Sequence, residues 1–469
     1  MKSNIASSKI ERRKQGKALR EKCPRTLQAE WKPRSKSQDI IRLLEESDAD
    51  RIAGLIPVKY QRMSASPFTF FRGTAIIQAR DLATARGSGI IVQACGDCHL
   101  ANFGGFASPE RVLVFDINDF DETLPGPWEW DVKRLGASLI LAARDRSFSK
   151  TAADEAVRAA AASYRERMAE FAEMKVLDTW YAQVTIDAIK EYFRKDPDIS
   201  ARLAKKQKKA LSQTSESVIP KLTSVVDGLR KIKDNPPVIY HIQEFIRNFE
   251  KQHVKFIEEY KKSLHADRRH LYERFHWQDT VIKVVGVGSV GTRCYLSLLL
   301  ADDDDPLFLQ VKEARRSVLE PPRGKSRYAH QGRRVVEGQR VMQAASDIFL
   351  GWTGTTGHDY YVRQFRDMKV SAEVETFRPG TLVAYASLCG WTLARAHAKA
   401  GDAAMIAGYV GSSEQFDDAL AKYSAAYADQ AERDSRPFRQ PFVPGACRRN
   451  QQRVPVWSSC CRAEVQPKP

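Results

Sequence analysis

Between Cys95 and Asp121 the chain crowds acids and amides around one short apolar run, a pattern that any proposed fold has to accommodate. The stretch reads Cys95-Gly-Asp-Cys-His-Leu-Ala-Asn-Phe-Gly104, a spacer, then Val114-Phe-Asp-Ile-Asn-Asp-Phe-Asp121. Asp97 precedes Asn102 by five residues, and Asp116 follows Asn102 by fourteen, after the strand-like run Val112, Leu113, Val114 and Phe115. A phosphotransferase needs its parts in that order. A loop Asp accepts the proton of an attacking hydroxyl, an Asn on the same loop binds a metal ion, and an Asp at a strand end holds the Mg²⁺ that bridges the ATP phosphates. Asp97, Asn102 and Asp116 are the candidates, with Asp119 an alternative metal ligand because sequence does not fix where the strand ends. Other readings of the same residues stay open. Cys95-Gly-Asp-Cys98-His99 also fits covalent haem attachment, and Cys-x-x-Cys alone fits a redox dithiol. Neither gives work to Asn102, Asp116, Asn118 or Asp119. A plain polar turn is the remaining option, since Asp and Asn satisfy turn backbones.

A second constraint lies far downstream. Val281, Lys283 and Val285 alternate into Gly286-Val-Gly288-Ser289-Val-Gly291, followed by Thr292 to Leu300, an acidic turn at Asp302 to Asp305, and Leu307-Phe-Leu-Gln-Val-Lys312. Gly-x-Gly-x-x-Gly serves a dinucleotide-binding turn, a kinase phosphate lid or an ordinary hairpin. A dinucleotide fold wants a full helix after the last glycine, here at Thr292 to Leu300, and an acid about 20 positions on at the next strand's end. What stands 21 positions past Gly291 is Lys312, in an apolar strand. A kinase holds the α- and β-phosphates with such a lysine and pairs it with a helix Glu. Glu337, in Arg334-Val-Val-Glu-Gly-Gln-Arg-Val-Met342, is the candidate partner, and Glu313 and Glu320 are poorer ones. Gly286, Gly288, Ser289 and Gly291 would form the lid.

Composition bounds the rest. At 469 residues and 43% hydrophobic the chain can bury a large core in two or three domains or lobes. The net charge of +17 sits mostly at the ends: residues 1 to 40 carry 12 Lys/Arg against 4 Asp/Glu, and residues 436 to 469 carry 7 against 1. The ends are expected to be solvated, and no specific nucleic-acid partner is expected. Eight cysteines are too few and too scattered for a disulfide scaffold. No secretory signal and no run near the ~18 apolar residues of a membrane span is present, so a cytoplasmic location is expected.

Elsewhere Arg62-Met…Phe71-Arg72-Gly sets an aromatic cluster between two arginines, either of which could face a phosphate or acidic substrate. Asp131 stands in the first turn of a buried helix, either capping it or reaching back to the Asp97 loop. Residues 151 to 275 read as almost wholly helical, and Leu382 to Ala400 as a long helix in which His397 serves packing or capping.

These residues resemble a protein-kinase-like fold in circularly permuted order. In aminoglycoside and choline kinases the glycine hairpin, strand lysine, helix Glu and a Leu-Ala-Arg-Leu-His helix precede Gly-Asp-x-His-x-x-Asn and a strand Asp. Here Gly96-Asp-Cys-His-Leu-Ala-Asn102 and Phe115-Asp116 come first, and Leu393-Ala-Arg-Ala-His397 comes last. Residues 51 to about 432 also resemble the bacterial family catalogued as domain of unknown function 2252. The carrying motifs are Arg62-Met…Ser66-Pro-Phe, Cys95-Gly-Asp-Cys-His-Leu-Ala-Asn-Phe-Gly, Phe115-Asp-Ile-Asn-Asp-Phe-Asp-Glu-Thr, Pro127-Trp-Glu-Trp-Asp-Val-Lys-Arg and Val336-Glu-Gly-Gln-Arg.

The resemblance implies an α+β, two-lobe kinase-like fold with a small antiparallel-sheet lobe and a large helical lobe. The expected parts are a basic arm and helix (1–50), the catalytic-loop part (51–145) and helical part (146–275) of the large lobe, a β-rich nucleotide lobe (276–370), returning helices (371–433) and a disordered tail (434–469). The expected activity is ATP- and Mg²⁺-dependent phosphoryl transfer to an unidentified hydroxyl-bearing small molecule or protein. An inactive nucleotide-binding scaffold and AMP transfer stay open, and a dinucleotide oxidoreductase is the remoter alternative. Oligomeric state is left undetermined.

Overall fold

The computed structural model describes residues 7–34, 39–194, 196–211, 215–241, 254–302, 305–355, 357–365 and 368–439. They form an α+β molecule in which every strand pairing is antiparallel. The Cys95 to Asp121 stretch is carried by four short strands: β1 (Ile91–Ala94), β2 (Phe103–Ala107), β3 (Leu113–Ile117) and β4 (Leu124–Pro127). β1 pairs with β4, and β2 with β3.

Downstream, β5 (Thr223–Val226) and β6 (Leu229–Ile232) form a hairpin within the region expected to be helical. Asp227 and Gly228 join them at φ 52° and 74°. An Asp-Gly turn between apolar residues, here Val226 and Leu229, is a strong local hairpin signal, because both turn residues tolerate positive φ, and it outweighs the helical pattern around it.

The largest sheet comprises β7 (Ile239–Tyr240), β8 (His276–Lys283), β9 (Cys294–Asp302), β10 (Asp305–Ala314), β11 (Gly351–Thr355) and β12 (His358–Gln364), in the order β11-β12-β10-β9-β8-β7. β10 is central and buried from Pro306 to Ala314, as its apolar run requires. The residues from Thr292 to Leu300 thus lie largely in a strand rather than the helix a dinucleotide fold would need. The Gln331–Met342 helix packs beside β11 and β12.

The helical part is built around the Trp128–Asp145 helix, buried from Trp128 to Ala143. The Lys150–Glu173 and Pro379–Ala400 helices pack so closely that a Cβ on Gly390 would lie 2.1 Å from the Ala160 carbonyl oxygen. No helix among the described residues is long and apolar enough to cross a membrane.

Both ends differ from expectation. The Lys9–Ala18 helix starts with a Ser8–Glu11 capping box and lies against the Ala403–Val410 helix, where a Cβ on Gly16 would meet the Met405 oxygen at 2.0 Å. Arg20 and Arg25 donate to the carbonyls of Gly408, Tyr409 and Val410, the open C-terminal end of that helix. Arg34 bridges Asp81 and Asp434 at 2.6 Å each. The arginines are consumed by partners within the fold, so this segment is no solvated arm. At the other end the last helix runs from Gln415 to Arg439, past the expected end near Arg433. Phe438 stacks on Tyr60 and packs on Phe70, with ring centroids 6.0 and 5.2 Å away. The rest of the expected tail, 440–469, lies outside the described residues.

Candidate functional site

The loop after β1 is fixed from below. Asp131 accepts from the backbone N–H groups of Cys95 (2.6 Å) and Gly96 (2.9 Å), so this carboxylate reaches back to the loop rather than capping its own helix. His397 Nε2 lies 3.2 Å from Asp131, and its Nδ1 is 2.9 Å from the Tyr164 hydroxyl. His397 is therefore a buried support of the loop, in line with the packing role. Gly96 turns the chain at φ 85°, and a Cβ there would lie 2.5 Å from the Glu122 oxygen. Only glycine fits that turn.

Above this support stand Asp97 and Asn102. The Asn102 Nδ2 donates to the Asp97 carbonyl at 2.7 Å, which leaves its Oδ1 available. Arg134 Nε donates to Asp97 Oδ1, while its terminal nitrogens donate to Gln78 Oε1 and the Phe71 carbonyl at 2.9 Å each. The Asp97 side chain keeps 22% of its surface exposed. Burial lifts its pKa to about 7, with Arg134 pulling the other way. That is the range in which a carboxylate serves as a general base near neutrality.

Asp116 is placed elsewhere. β3 ends at Ile117, so Asp116 is still a strand residue and points into the core. Its carboxylate meets Arg395 at 2.5 Å and accepts from the Ala344 N–H at 2.8 Å, with no exposed surface. It lines no part of the cleft, and its metal-ligand assignment is corrected on that ground. Asp119, two residues past the strand's end, does face the cleft beside Asp97 and Asn102.

Lys312 leaves β10 toward the same acids. Its Nζ lies 2.8 Å from Asp121 and 3.5 Å from Asp119. Burial alone would drive this ammonium down, but Asp119 and Asp121 more than offset it and the net direction is well above the ordinary lysine value. Asp121 also accepts from the Tyr361 hydroxyl at 2.6 Å and the Ser289 hydroxyl at 3.3 Å. Glu337 is not the lysine's partner. It lies on the outer face of its helix, within 4.0 Å of Arg333 and 3.9 Å of Arg340, while Val335, Val336 and Gln339 turn inward. Asp121 is the residue that sequence reasoning missed. The available signal was the second acid in Asp119-Phe-Asp121.

The glycine turn between β8 and β9 lies over these groups. Gly286 and Gly291 adopt φ 64° and 89°, and Arg62 donates to the Gly286 carbonyl at 2.8 Å. Gly286, Gly288 and Ser289 line a cleft of about 900 Å³ together with Asp97, Asn102 and Asp119. Gly291 sits behind, against Arg51, and its carbonyl accepts from the Ile52 N–H. A second cavity of about 540 Å³ lies behind Lys312, with Val285, Ile348 and Phe365 on its walls. Asp119, Gly286 and Ser289 border both spaces.

Cys95 and Cys98 are wholly buried in the large core. Burial, followed by the hydrogen bond from Cys95, pushes the Cys98 thiol well above its ordinary value, opposite to the shift of a reactive redox thiol. Among the described residues no group of three or more His, Cys, Asp or Glu side chains is arranged to hold a metal ion alone. Asn102 Oδ1 and Asp119 are hard oxygen donors of the kind Mg²⁺ takes one or two of, completing its shell with water and phosphate.

Comparison with known proteins gives one match. The family model described as "Uncharacterized protein conserved in bacteria", domain of unknown function 2252, matches residues 51–441. No curated protein and no solved structure matches.

Proposed function

We propose that this chain, which belongs to that family of uncharacterized bacterial proteins, is an ATP- and Mg²⁺-dependent phosphotransferase acting on a hydroxyl-bearing substrate. One observation carries the reading. Asp97, Asn102, Asp119 and Asp121 share one cleft with the glycine turn, and Lys312, on the wall of the adjoining cavity, reaches Asp121 although 191 residues separate the two. The parts are those of a kinase site in permuted order, as an unrelated polar turn would not require.

Further features support a kinase-like, circularly permuted arrangement. The glycine turn joins β8 to β9, Lys312 stands on the next strand, and the Gln331–Met342 helix follows. The Pro379–Ala400 helix then docks beside the Asp97 loop: His397 meets Asp131, and the Tyr385 hydroxyl donates to the carbonyls of Leu100 and Phe103 at 3.0 Å. The use of Asp121 in place of a helix Glu is this chain's departure from the pattern.

In this reading Asp97, held through Oδ1 by Arg134, takes the proton of the acceptor hydroxyl on its free oxygen. The acceptor oxygen forms a bond to the γ-phosphorus as the bond to ADP breaks. Lys312 holds the α- and β-phosphates, and Gly286 to Ser289 offer backbone N–H groups above them. Asn102 and Asp119 would hold Mg²⁺, which when bound offsets phosphate charge. The cavity walled by Val285, Ile348 and Phe365 gives room for the base.

The test is transfer of label from ATP to a bacterial metabolite extract. Label from the γ-position should appear in a product, depend on Mg²⁺, and vanish in Asp97→Asn with nucleotide binding retained. Label from the α-position would establish AMP transfer instead, and binding without any transfer would make the chain a nucleotide-binding scaffold.

A further inference from the structure

The cleft holds a cation that the phosphotransfer roles leave unused. Arg72 ends the Pro67–Arg72 helix, and its side chain lines the cleft with Asp97 and His99. Its Nε is buried without a hydrogen-bond partner among the described residues. Its guanidinium carbon lies 5.7 Å from the Phe68 ring centre, and Arg72 forms no ion pair with the described acids. Asp97 and Glu375 are the carboxylates whose fields reach it, opposing the lowering that burial imposes. The buried guanidinium of Arg134, also beside Asp97, is by contrast fully engaged, since it uses all three nitrogens on Asp97, Gln78 and Phe71.

His99 faces the same corner. It is 4% exposed, its Nδ1 has no partner, and its Nε2 stands 3.9 Å from Asp97. Burial, then the charges of Arg72 and Arg134, hold the imidazole neutral. A neutral ring with one free nitrogen adds a hydrogen-bonding group without a charge. A buried guanidinium nitrogen and a buried imidazole nitrogen both lacking partners is a costly arrangement in a folded protein unless a ligand completes it.

We propose that Arg72 and His99 receive an anionic group, phosphate or carboxylate, on the acceptor substrate, so that the substrate's hydroxyl is presented to Asp97. The guanidinium fork matches either anion. Arg72 and His99 line the cleft that holds Asp97 and are absent from the walls of the cavity behind Lys312, which places the anion on the acceptor side. The acceptor class is then a small hydroxylated compound that already carries a phosphate or carboxylate. This rests on the phosphotransferase reading.

Calorimetry on the full chain tests it, with Mg²⁺ and the β,γ-imido analogue of ATP filling the nucleotide site. Glycerol 3-phosphate and inorganic phosphate, with glycerol as the uncharged control, are then titrated. Binding of both anions but not glycerol is expected. Arg72→Gln should weaken the anions about tenfold or more, the effect of losing one charge-assisted partner, and leave the ATP analogue within about twofold. His99→Gln should weaken the anions by a smaller factor.

No anion binding by the parent at millimolar concentration, or unchanged anion binding in Arg72→Gln, overturns the proposal. Tenfold loss of the ATP analogue in that variant also overturns it, by assigning Arg72 to the nucleotide. Should Arg72→Gln fail to fold, Arg72→Lys keeps the charge and loses the fork, and unchanged anion affinity in it overturns the proposal. If the parent binds no ATP analogue, the phosphotransferase reading falls, and the same anion titrations without nucleotide decide the Arg72 corner separately.

Discussion

Asp116 and Asp119 lie three residues apart and do unlike things. Asp116 is fully buried against Arg395, so Asp116→Ala orphans a buried guanidinium and should cost about 3–5 kcal/mol of stability. Asp119→Ala removes a 34% exposed carboxylate and should leave the melting temperature almost unchanged while abolishing the Mg²⁺-dependent part of ATP binding. Thermal unfolding with and without Mg²⁺-ATP separates the two, and the reverse assignment would restore Asp116 as the metal ligand. The choice was illegible in sequence because it turns on where β3 ends, and one residue of strand turns a side chain from core to cleft. The lysine's partner was hidden likewise, since helix spacing alone does not say which way Glu337 faces. That Asp97 and Asn102 line one cleft, with Lys312 directed at the acids beside them, could be anticipated from the order of these residues along the chain. Asp97 also makes a pH prediction. Its folded pKa of about 7 lies above the unfolded value of about 3.9. The stability it contributes is fully present below the unfolded value and is lost as pH rises to about 7. Stability of Asp97→Asn relative to the parent should therefore climb between about pH 4 and 7 and then level, measured by urea unfolding. Over the same range the parent's kcat/KM should rise as the base ionises.

At the scale of elements, the sheet and the buried helices followed from periodicity, whereas the two ends did not. A high arginine count in the first 40 residues suggested solvation, yet Arg20, Arg25 and Arg34 spend their charge on a helix end and two carboxylates. Nothing in local composition announces a partner nearly 400 positions away. The glycines at that contact were the available clue, because Gly16 allows the Lys9–Ala18 helix to touch the Ala403–Val410 backbone. Gly16→Val should push the two helices apart and cost about 1–3 kcal/mol, the range for overpacking a close contact. A chain ending at Arg433 should be less stable than one ending at Arg439. It loses the Asp434 bond to Arg34, worth about 1.5–3 kcal/mol for a charge-assisted pair, and the Phe438 contacts with Tyr60 and Phe70. Equal denaturation midpoints for the two would mean that the last turns of this helix add nothing to the fold.

For the molecule as a whole, the site depends on two stretches that the chain order keeps apart. Ser289 and Lys312 reach Asp121 across 168 and 191 residues. A ligand that bridges both should therefore tie them together energetically. Mg²⁺-ATP at about 100 times its dissociation constant should stabilise the fold by roughly 2.7 kcal/mol. Hydrogen exchange locates that stabilisation. With Mg²⁺-ATP the amides of 95–104 and of 286–292 should slow together, because Asn102 and Asp119 act from one side of the phosphates and the glycine turn from the other. With ATP and a chelator, only 286–292 should slow, since Lys312 and the turn contact phosphate directly whereas the acids act through the metal. Asp119→Ala with Mg²⁺ should reproduce the chelator pattern. Protection confined to 286–292 in the parent with Mg²⁺ present would mean that the nucleotide does not bridge the cleft. The Asp97 loop would then belong to a separate site, and the permuted kinase-like arrangement would lose its physical basis.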